Sequence, residues 1–301
     1  MTGLWRSLLY VPAHIEQFVA NPRLAEADAV VLDLEDSVPA DQKTAARDRL
    51  SAAVAKVGAA GPDVLVRIND GAVGEADIPA AVQSGVSALV VPKVRSAEQL
   101  RRIADRVAST EAEVGLPCGG IRLVVLIETA DGFMAMTEIL RATPQTVGVI
   151  LGAEDFAADV GMVVDEATLR GPRQQVVIAA AAAGVRPFGL MGAMTRFDNL
   201  DAYRALAVES KRFGYVGSTC IHPSQIAVLN AAFSPSSDEL QWAERVCAAF
   251  EDAGRNGRGA VALDGRMIDA PVAVRAEGLL SRHREIQARA ASKHGGTDEA
   301  R

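Results

Sequence analysis

The chain has 301 residues, 49% hydrophobic and 23% charged, an ordinary globular balance that at this length buries roughly three quarters of the unfolded surface. Its formal net charge of -7 excludes the basic surface that nucleic-acid binding needs for counterion release. No apolar run approaches the roughly 18 residues that span a bilayer, and the N-terminal MTGLWRSLLYVPAH lacks a cleavage pattern. The expectation is a cytoplasmic protein with neither membrane nor nucleic acid as partner.

In chain order, short β-branched runs predict strands at Ser7 to Val11, Ala29 to Leu34, Val64 to Ile68, Ala88 to Pro92, Leu123 to Glu128, Val147 to Gly152, Arg186 to Leu190 and Tyr215 to Ile221. They are nearly continuous apolar runs, as expected of a parallel sheet covered on both faces. Longer Ala-, Leu- and Arg-rich segments lie between them, among them helices predicted from Ser96 and from Asp198, the polar residues that would cap them. Eight strand-helix units predict an α/β fold closed as a (β/α)8 barrel over residues 1–253. The Gly- and Arg-rich GRNGRG at Gly254 to Gly259 would then open a C-terminal helical extension over 254–287, a lid for a neighbouring subunit, before a disordered tail over 288–301. Cys118, Cys220 and Cys247 have no C-x-x-C spacing and read as reduced, mostly buried thiols.

A barrel of this kind places its active site at the C-terminal ends of the strands, so charged residues that stop an apolar strand carry the information. Asp33, Glu35 and Asp36 stop the second strand, Arg67 and Asn69 the third, Lys93 the fourth, Glu128 the fifth, and Glu154 and Asp155 the sixth; His222 follows the eighth. Such charges also pair with one another for purely structural reasons. A Lys93–Asp36 pair, a loop-fixing His222 and a structural ion pair at Arg6 are the plain alternatives. Glu128 and Asp155 stand one strand-helix repeat apart, on adjacent strand ends facing one mouth. Two hard oxygen donors with open positions suit Mg2+, and no His/Cys cluster competes for zinc.

The blocks RSLLYVPA, DAVVLDLEDSV, VRIND, VVPKV, LIETADG, LGAEDFAADVG, CIHPSQI and DGRMIDAP, in that order from about Arg6 to about Leu280, resemble the citrate lyase beta subunit and CoA-ester lyase family of the HpcH/HpaI aldolase superfamily. The resemblance implies a (β/α)8 barrel in a homotrimer or hexamer, with Mg2+ on Glu128 and Asp155. It also implies substrate binding by Arg67 and an aspartate, here Asp269, that completes a neighbouring subunit's site. The chain departs from the family pattern at His14 to Phe18, where basic residues often hold the CoA phosphates. It departs again at Gly217-Ser218, commonly Gly-Lys, and at RPFGLMGAMTRFDN, commonly an Asp-containing stretch.

The chemistry implied is cleavage of a 3-hydroxyacyl thioester such as malyl-CoA or citramalyl-CoA into an oxo acid and an acyl-CoA. Its barrier is the enolate charge, so the site must hold the hydroxy acid, stabilise negative charge and move a proton. Arg67 and Asp269 are the candidate catalytic residues, and Glu35 and Asp36 are candidates for holding waters around the metal or orienting Arg67. A helix cap is the plain alternative for Asp269. Two other outcomes stay open: a CoA thioesterase of the same family, and a citrate-lyase-type subunit that acts on or binds a carrier-protein thioester.

Overall fold

The computed structural model describes residues 4–192 and 199–295. Eight parallel strands appear where the apolar runs place them: β1 (Ser7–Pro12), β2 (Ala29–Asp33), β3 (Asp63–Arg67), β4 (Val86–Val91), β5 (Arg122–Ile127), β6 (Thr146–Leu151), β7 (Arg186–Phe188) and β8 (Ser218–Cys220). Their order is β7-β6-β5-β4-β3-β2-β1-β8. The ends of that series meet through a parallel Phe188–Gly217 bridge, with Gly189 N–H donating to Gly217 O at 2.9 Å and Val216 N–H to Pro187 O at 3.2 Å. The sheet is thus the expected barrel with helices outside.

The period of two along each strand sorts its side chains into two layers. Leu8, Val31, Leu65, Val90, Val124 and Phe188 fill the barrel interior. Leu9, Leu32, Val66, Leu89, Val125 and Val149 pack outward beneath the helices. A Cβ at Gly217 would stand 2.0 Å from Trp5 O, so only glycine lets the chain pass this close to β1. At the N-terminal end, Arg6 grips Asp28 through Nε (2.7 Å) and Nη2 (2.9 Å), the structural ion pair anticipated as the alternative for this arginine. The Ser96 hydroxyl caps the helix Ala97–Glu113 by accepting from Gln99 N–H at 3.1 Å. Asn199 caps the helix Leu200–Phe213; Asp198, the cap anticipated there, lies outside the described residues.

The chain divides after Phe233, earlier than the boundary anticipated at 253. The reason is that the helix Ser237–Arg255 shares its core with the C-terminal segment: Ala243 and Val246 bury against Ile268 and Ala276. This second unit also contains an antiparallel hairpin of β9 (Val261–Leu263) and β10 (Arg266–Ile268), turned at Asp264 and Gly265, both with positive φ. A helix follows over Ala270–Gly295, past residue 288 where the ordered chain was expected to stop. Cys220 is buried and Cys247 partly so, but Cys118 is exposed, because it sits in the loop after the helix Ala97–Glu113 rather than under it. No helix among the described residues is long and apolar enough to cross a membrane.

Candidate active site

The mouth of the barrel is organised around Arg67, the last residue of β3, in register with Asp33 at the end of β2. Arg67 Nε donates to Asp33 Oδ1 and Nη2 to Asp33 Oδ2, each at 2.7 Å, while Nη1 donates to Asp36 Oδ2 at 2.9 Å. Nη1 also lies 2.8 Å from Glu35 Oε2. That oxygen is buried yet has no hydrogen bond of proper geometry. Asp33 is itself fixed by two backbone amides, Glu35 N–H (2.9 Å) and Ser37 N–H (3.1 Å). The guanidinium carbon sits 4.9 Å above the Tyr10 ring. The planar fork of Arg67 is therefore fixed on one face by carboxylates and on another by an aromatic ring.

One turn further round the mouth, Lys93 holds both carboxylates that the spacing singled out. Its amide donates to Glu128 Oε2 at 2.9 Å, and its ammonium lies 3.4 Å from Glu35 Oε1 and 3.8 Å from Asp155 Oδ1. The backbone at Lys93 is left-handed (φ 51°), a strained conformation for a residue with a Cβ, and it turns the side chain toward Asp155. This corrects the Lys93–Asp36 pairing: Asp36 faces Arg67 instead. Gly152, at the end of β6, is what makes room for Glu128, since a Cβ there would stand 2.4 Å from Glu128 Oε1.

Charges in this cluster shift as their surroundings dictate. Burial, reinforced by Glu35 and Asp155, pushes the Glu128 carboxyl up to about 7 against the lowering effect of the Lys93 amide. Burial also raises Glu35. For Asp33 burial is again the largest influence, but the bonds from Arg67, Ser37 and Glu35 together outweigh it and hold the carboxyl below its ordinary value. Burial pulls Arg67 down, and Asp33 with Tyr10 and Glu35 more than restores it, so the guanidinium is permanently charged.

The donor set fits a hard divalent cation: the carboxylates of Glu128 and Asp155 both gather at Lys93, and Glu35 Oε1 lies 3.4 Å from the same ammonium. A pair of carboxylates suits Mg2+, which keeps its other positions for water and substrate. On the β6–β8 side of the mouth lies a cavity of about 240 Å³ walled by Ala153, Glu154, Arg173, Phe188, Tyr215 and Thr219, among others.

His222 does what the plain alternative required: it begins the short helical turn Pro223–Gln225, with Nδ1 accepting from Ser224 N–H at 3.2 Å. Asp269 lies in the second unit, where its Oδ1 accepts from Val272 N–H at 3.4 Å, a capping contact. Asp33 and Lys93 were noted in the sequence as strand-end charges without a role in the site, and Tyr10 and Arg173 were not noted. For Asp33 the signal was present, a carboxylate closing an otherwise apolar strand. A tyrosine within β1 and an arginine within a helix carry no such signal.

The fold and the mouth define an α/β-barrel protein whose charged residues converge on the C-terminal strand ends. The chain belongs to the HpcH/HpaI aldolase/citrate lyase family, whose model matches residues 6–223. It is 31% identical to the citrate lyase subunit beta of Leuconostoc mesenteroides subsp. cremoris, over 92% of each chain. It is 32% identical to a (3S)-malyl-CoA thioesterase of Cereibacter sphaeroides, over 96% of this chain and 98% of that one. Among solved structures, CitE from Mycobacterium tuberculosis in complex with magnesium, acetoacetate and coenzyme A superimposes with a TM-score of 0.73 at 31% identity, covering 94% of this chain and 99% of that one.

Proposed function

We propose that this chain is a Mg2+-dependent carbon–carbon lyase that cleaves a 3-hydroxyacyl thioester, such as malyl-CoA or citramalyl-CoA, into an oxo acid and an acyl thioester. The observation that carries the proposal is the convergence of Glu128 and Asp155 on Lys93, beside an arginine clamped by Asp33, Glu35 and Asp36. A relative crystallised with magnesium, acetoacetate and coenzyme A supports it.

Glu128 and Asp155 would hold the metal, with Lys93 fixing both carboxylates. The chemistry a divalent cation supplies there is Lewis acidity toward the hydroxy-acid oxygens. Arg67 binds a substrate oxygen through the second N–H of Nη2, the donor left over once Asp33, Asp36 and Glu35 are engaged. It arrives preorganised, so no reorganisation is needed as charge develops. Glu35 and Asp36 orient Arg67. When the bond between the hydroxyl-bearing carbon and the carbon next to the thioester breaks, its electron pair passes to the latter as an enolate, while the hydroxyl proton passes to solvent water and the carbonyl of the oxo acid forms. Asp269, acting from a neighbouring subunit in a homotrimer or hexamer, would give a proton to the enolate carbon.

A second outcome is favoured by the relative named for malyl-CoA thioester hydrolysis. A role on a carrier-protein thioester is favoured by the non-basic His14 to Phe18 segment. Incubating the purified protein and Mg2+ with malyl-CoA, citramalyl-CoA and methylmalyl-CoA tests all three. The expected products are an oxo acid and an acyl-CoA. Free CoA with intact hydroxy acid would mean hydrolysis, and no reaction without a carrier protein would mean the third.

A further inference from the structure

We propose that Asn69, itself aimed by Asp77, is a positioning residue that together with Lys43 directs Glu35 at Arg67 and Lys93 by fixing the backbone on either side of Glu35. The proposal deepens the lyase reading and rests on its assignment of Arg67 to the substrate. Asn69 closes β3 two residues beyond Arg67, and the reaction as described makes no use of it.

Glu35 is held by charge rather than by aligned hydrogen bonds. It is 6% exposed, its Oε2 lies 2.8 Å from Arg67 Nη1 without hydrogen-bond geometry, and its Oε1 lies 3.4 Å from Lys93 Nζ. Charge attraction has no preferred direction, so a buried carboxylate of this kind keeps one position only where its surroundings fix it. The two peptide units that flank Glu35 are fixed. The Leu34–Glu35 unit accepts at Leu34 O from Asn69 Nδ2 and from Lys43 Nζ, both at 2.9 Å, and its N–H donates to Asp33 Oδ1 at 2.9 Å. The Glu35–Asp36 unit accepts at Glu35 O from Lys43 Nζ at 2.6 Å and from Val38 N–H at 2.9 Å. Peptide units are planar, so two fixed planes set both dihedrals of the residue between them and with them the direction of its side chain.

Asn69 is aimed in its turn. Its side-chain amide donates to Leu34 O at 2.9 Å and to Asp77 Oδ2 at 2.7 Å, and its backbone N–H donates to the same Oδ2 at 2.9 Å. Both side-chain partners are acceptors, so the amide has one workable orientation. Asp77, in the helix Gly71–Ala81, is fully buried and meets Arg47 through Nε (2.9 Å) and Nη2 (2.8 Å). A Cβ on Gly74 would stand 1.8 Å from Asn69 O, so that helix is seated directly on the residue. The plain alternative is that Asn69 only fastens the helix. The bonds to Asp77 are enough for that, whereas the reach of Nδ2 to Leu34, 35 residues earlier in the chain, serves the loop that carries Glu35.

Asn69→Ala removes the reach to Leu34, and Lys43→Met, at a partly exposed position, removes the other clamp. Crystal structures of the two full-length variants read the placement directly: the Glu35 carboxylate should leave Arg67 and Lys93 while the fork of Arg67 on Asp33 stays. Turnover of malyl-CoA and citramalyl-CoA with Mg2+ reads the consequence. Each variant should lose roughly ten- to a hundredfold in kcat, the usual effect of removing a residue that orients a group in the site. In a Glu35→Ala background, where no side chain is left to aim, the same substitutions should cost less than about twofold. Lys43→Arg, which keeps donors for both carbonyls, should retain most of the activity. If Asn69→Ala does not fold, Lys43→Met carries the same measurements. An equal loss with and without Glu35 overturns the proposal, because the two residues then act separately. So does a Glu35 that is unmoved in the variant crystal structures, a result that needs no turnover. A wild type inert toward both thioesters would sink the lyase reading, and the crystal structures would still decide whether Asn69 and Lys43 place Glu35.

Discussion

Glu128 occupies the volume that any side chain on Gly152 would need: a Cβ there would meet both Cγ and Oε1 of Glu128 at 2.4 Å. Residue 152 has φ -77°, which every amino acid tolerates, so the glycine is required by its neighbour and not by its backbone. Gly152→Ala is expected to fold and to push the Glu128 carboxylate off the Lys93 amide. Mg2+ affinity should fall at least tenfold, about 1.4 kcal/mol. Calorimetric titration with Mg2+ checks this, and unchanged affinity would show that Glu128 is not a ligand.

Arg67→Lys retains a positive charge but cannot reproduce the fork on Asp33. Turnover should drop by about a hundredfold or more, the usual cost of one lost oxyanion-stabilising donor. Arg67→Met should instead hit stability, because it leaves Asp33, 1% exposed, without its partner, at about 3–5 kcal/mol. Steady-state kinetics and thermal denaturation separate the two effects. Near wild-type kcat/KM in Arg67→Lys would make Arg67 a structural strand-end charge.

Lys93 combines left-handed backbone with contacts to both proposed ligands. Lys93→Gly relieves backbone strain of about 1–2 kcal/mol, whereas Lys93→Ala keeps it, and both delete the ammonium. Glycine should therefore give the higher Tm of the two variants, and both should lose activity. If the alanine and glycine variants melt together, the strain inferred from φ is not there.

Because burial raises the Glu128 carboxyl to about 7, the metal-free folded chain keeps a proton there that the unfolded chain loses near 4.5. Between those values the folded state binds more protons, so stability falls as pH rises, and this contribution is gone above about 7. In EDTA, a pH series of Tm should show this decline relative to Glu128→Gln. Mg2+ affinity should weaken as pH drops below about 7, since proton and metal compete for one carboxylate. A wild-type slope identical to that of Glu128→Gln would refute the assignment.

Asp269→Asn should preserve folding, since asparagine caps helices as well as aspartate does, while losing turnover. If Asp269 works across a subunit boundary, mixing it with Glu128→Gln protomers should regain partial activity through hybrid sites. Well-exchanged mixtures that stay inactive would leave Asp269 as the cap of the helix Ala270–Gly295.

The barrel was legible because its strands are unbroken apolar runs ended by charges, and those endings placed Glu128, Asp155 and Arg67 at the mouth, while the role given to Arg67 came from the family resemblance. β8 was the least legible. It shrinks from Tyr215–Ile221 to Ser218–Cys220 because Val216 bonds back to Pro187 and Gly217 presses against the Trp5 backbone. Lys93 was misdirected because a left-handed turn at a lysine has no composition signature. Arg173 was invisible for a related reason: a charge inside a helix reads as a solvated face until the fold buries it. The β9–β10 hairpin did have a signal, the Asp264-Gly265 pair, between segments too short to read as strands.

Each of the seven other strand contacts in the barrel is a ladder of three or more paired residues, but β7 and β8 touch through one bridge and its flanking bonds. A closed ring with one thin joint opens there first, so amide hydrogens at Gly189 and Val216 should exchange with solvent by local fluctuation, while those of β3 to β5 wait for global unfolding. The joint lies under the cavity and not under the carboxylates. The barrel is thus stiff beneath Glu128, Lys93 and Asp155 and compliant beneath the cavity.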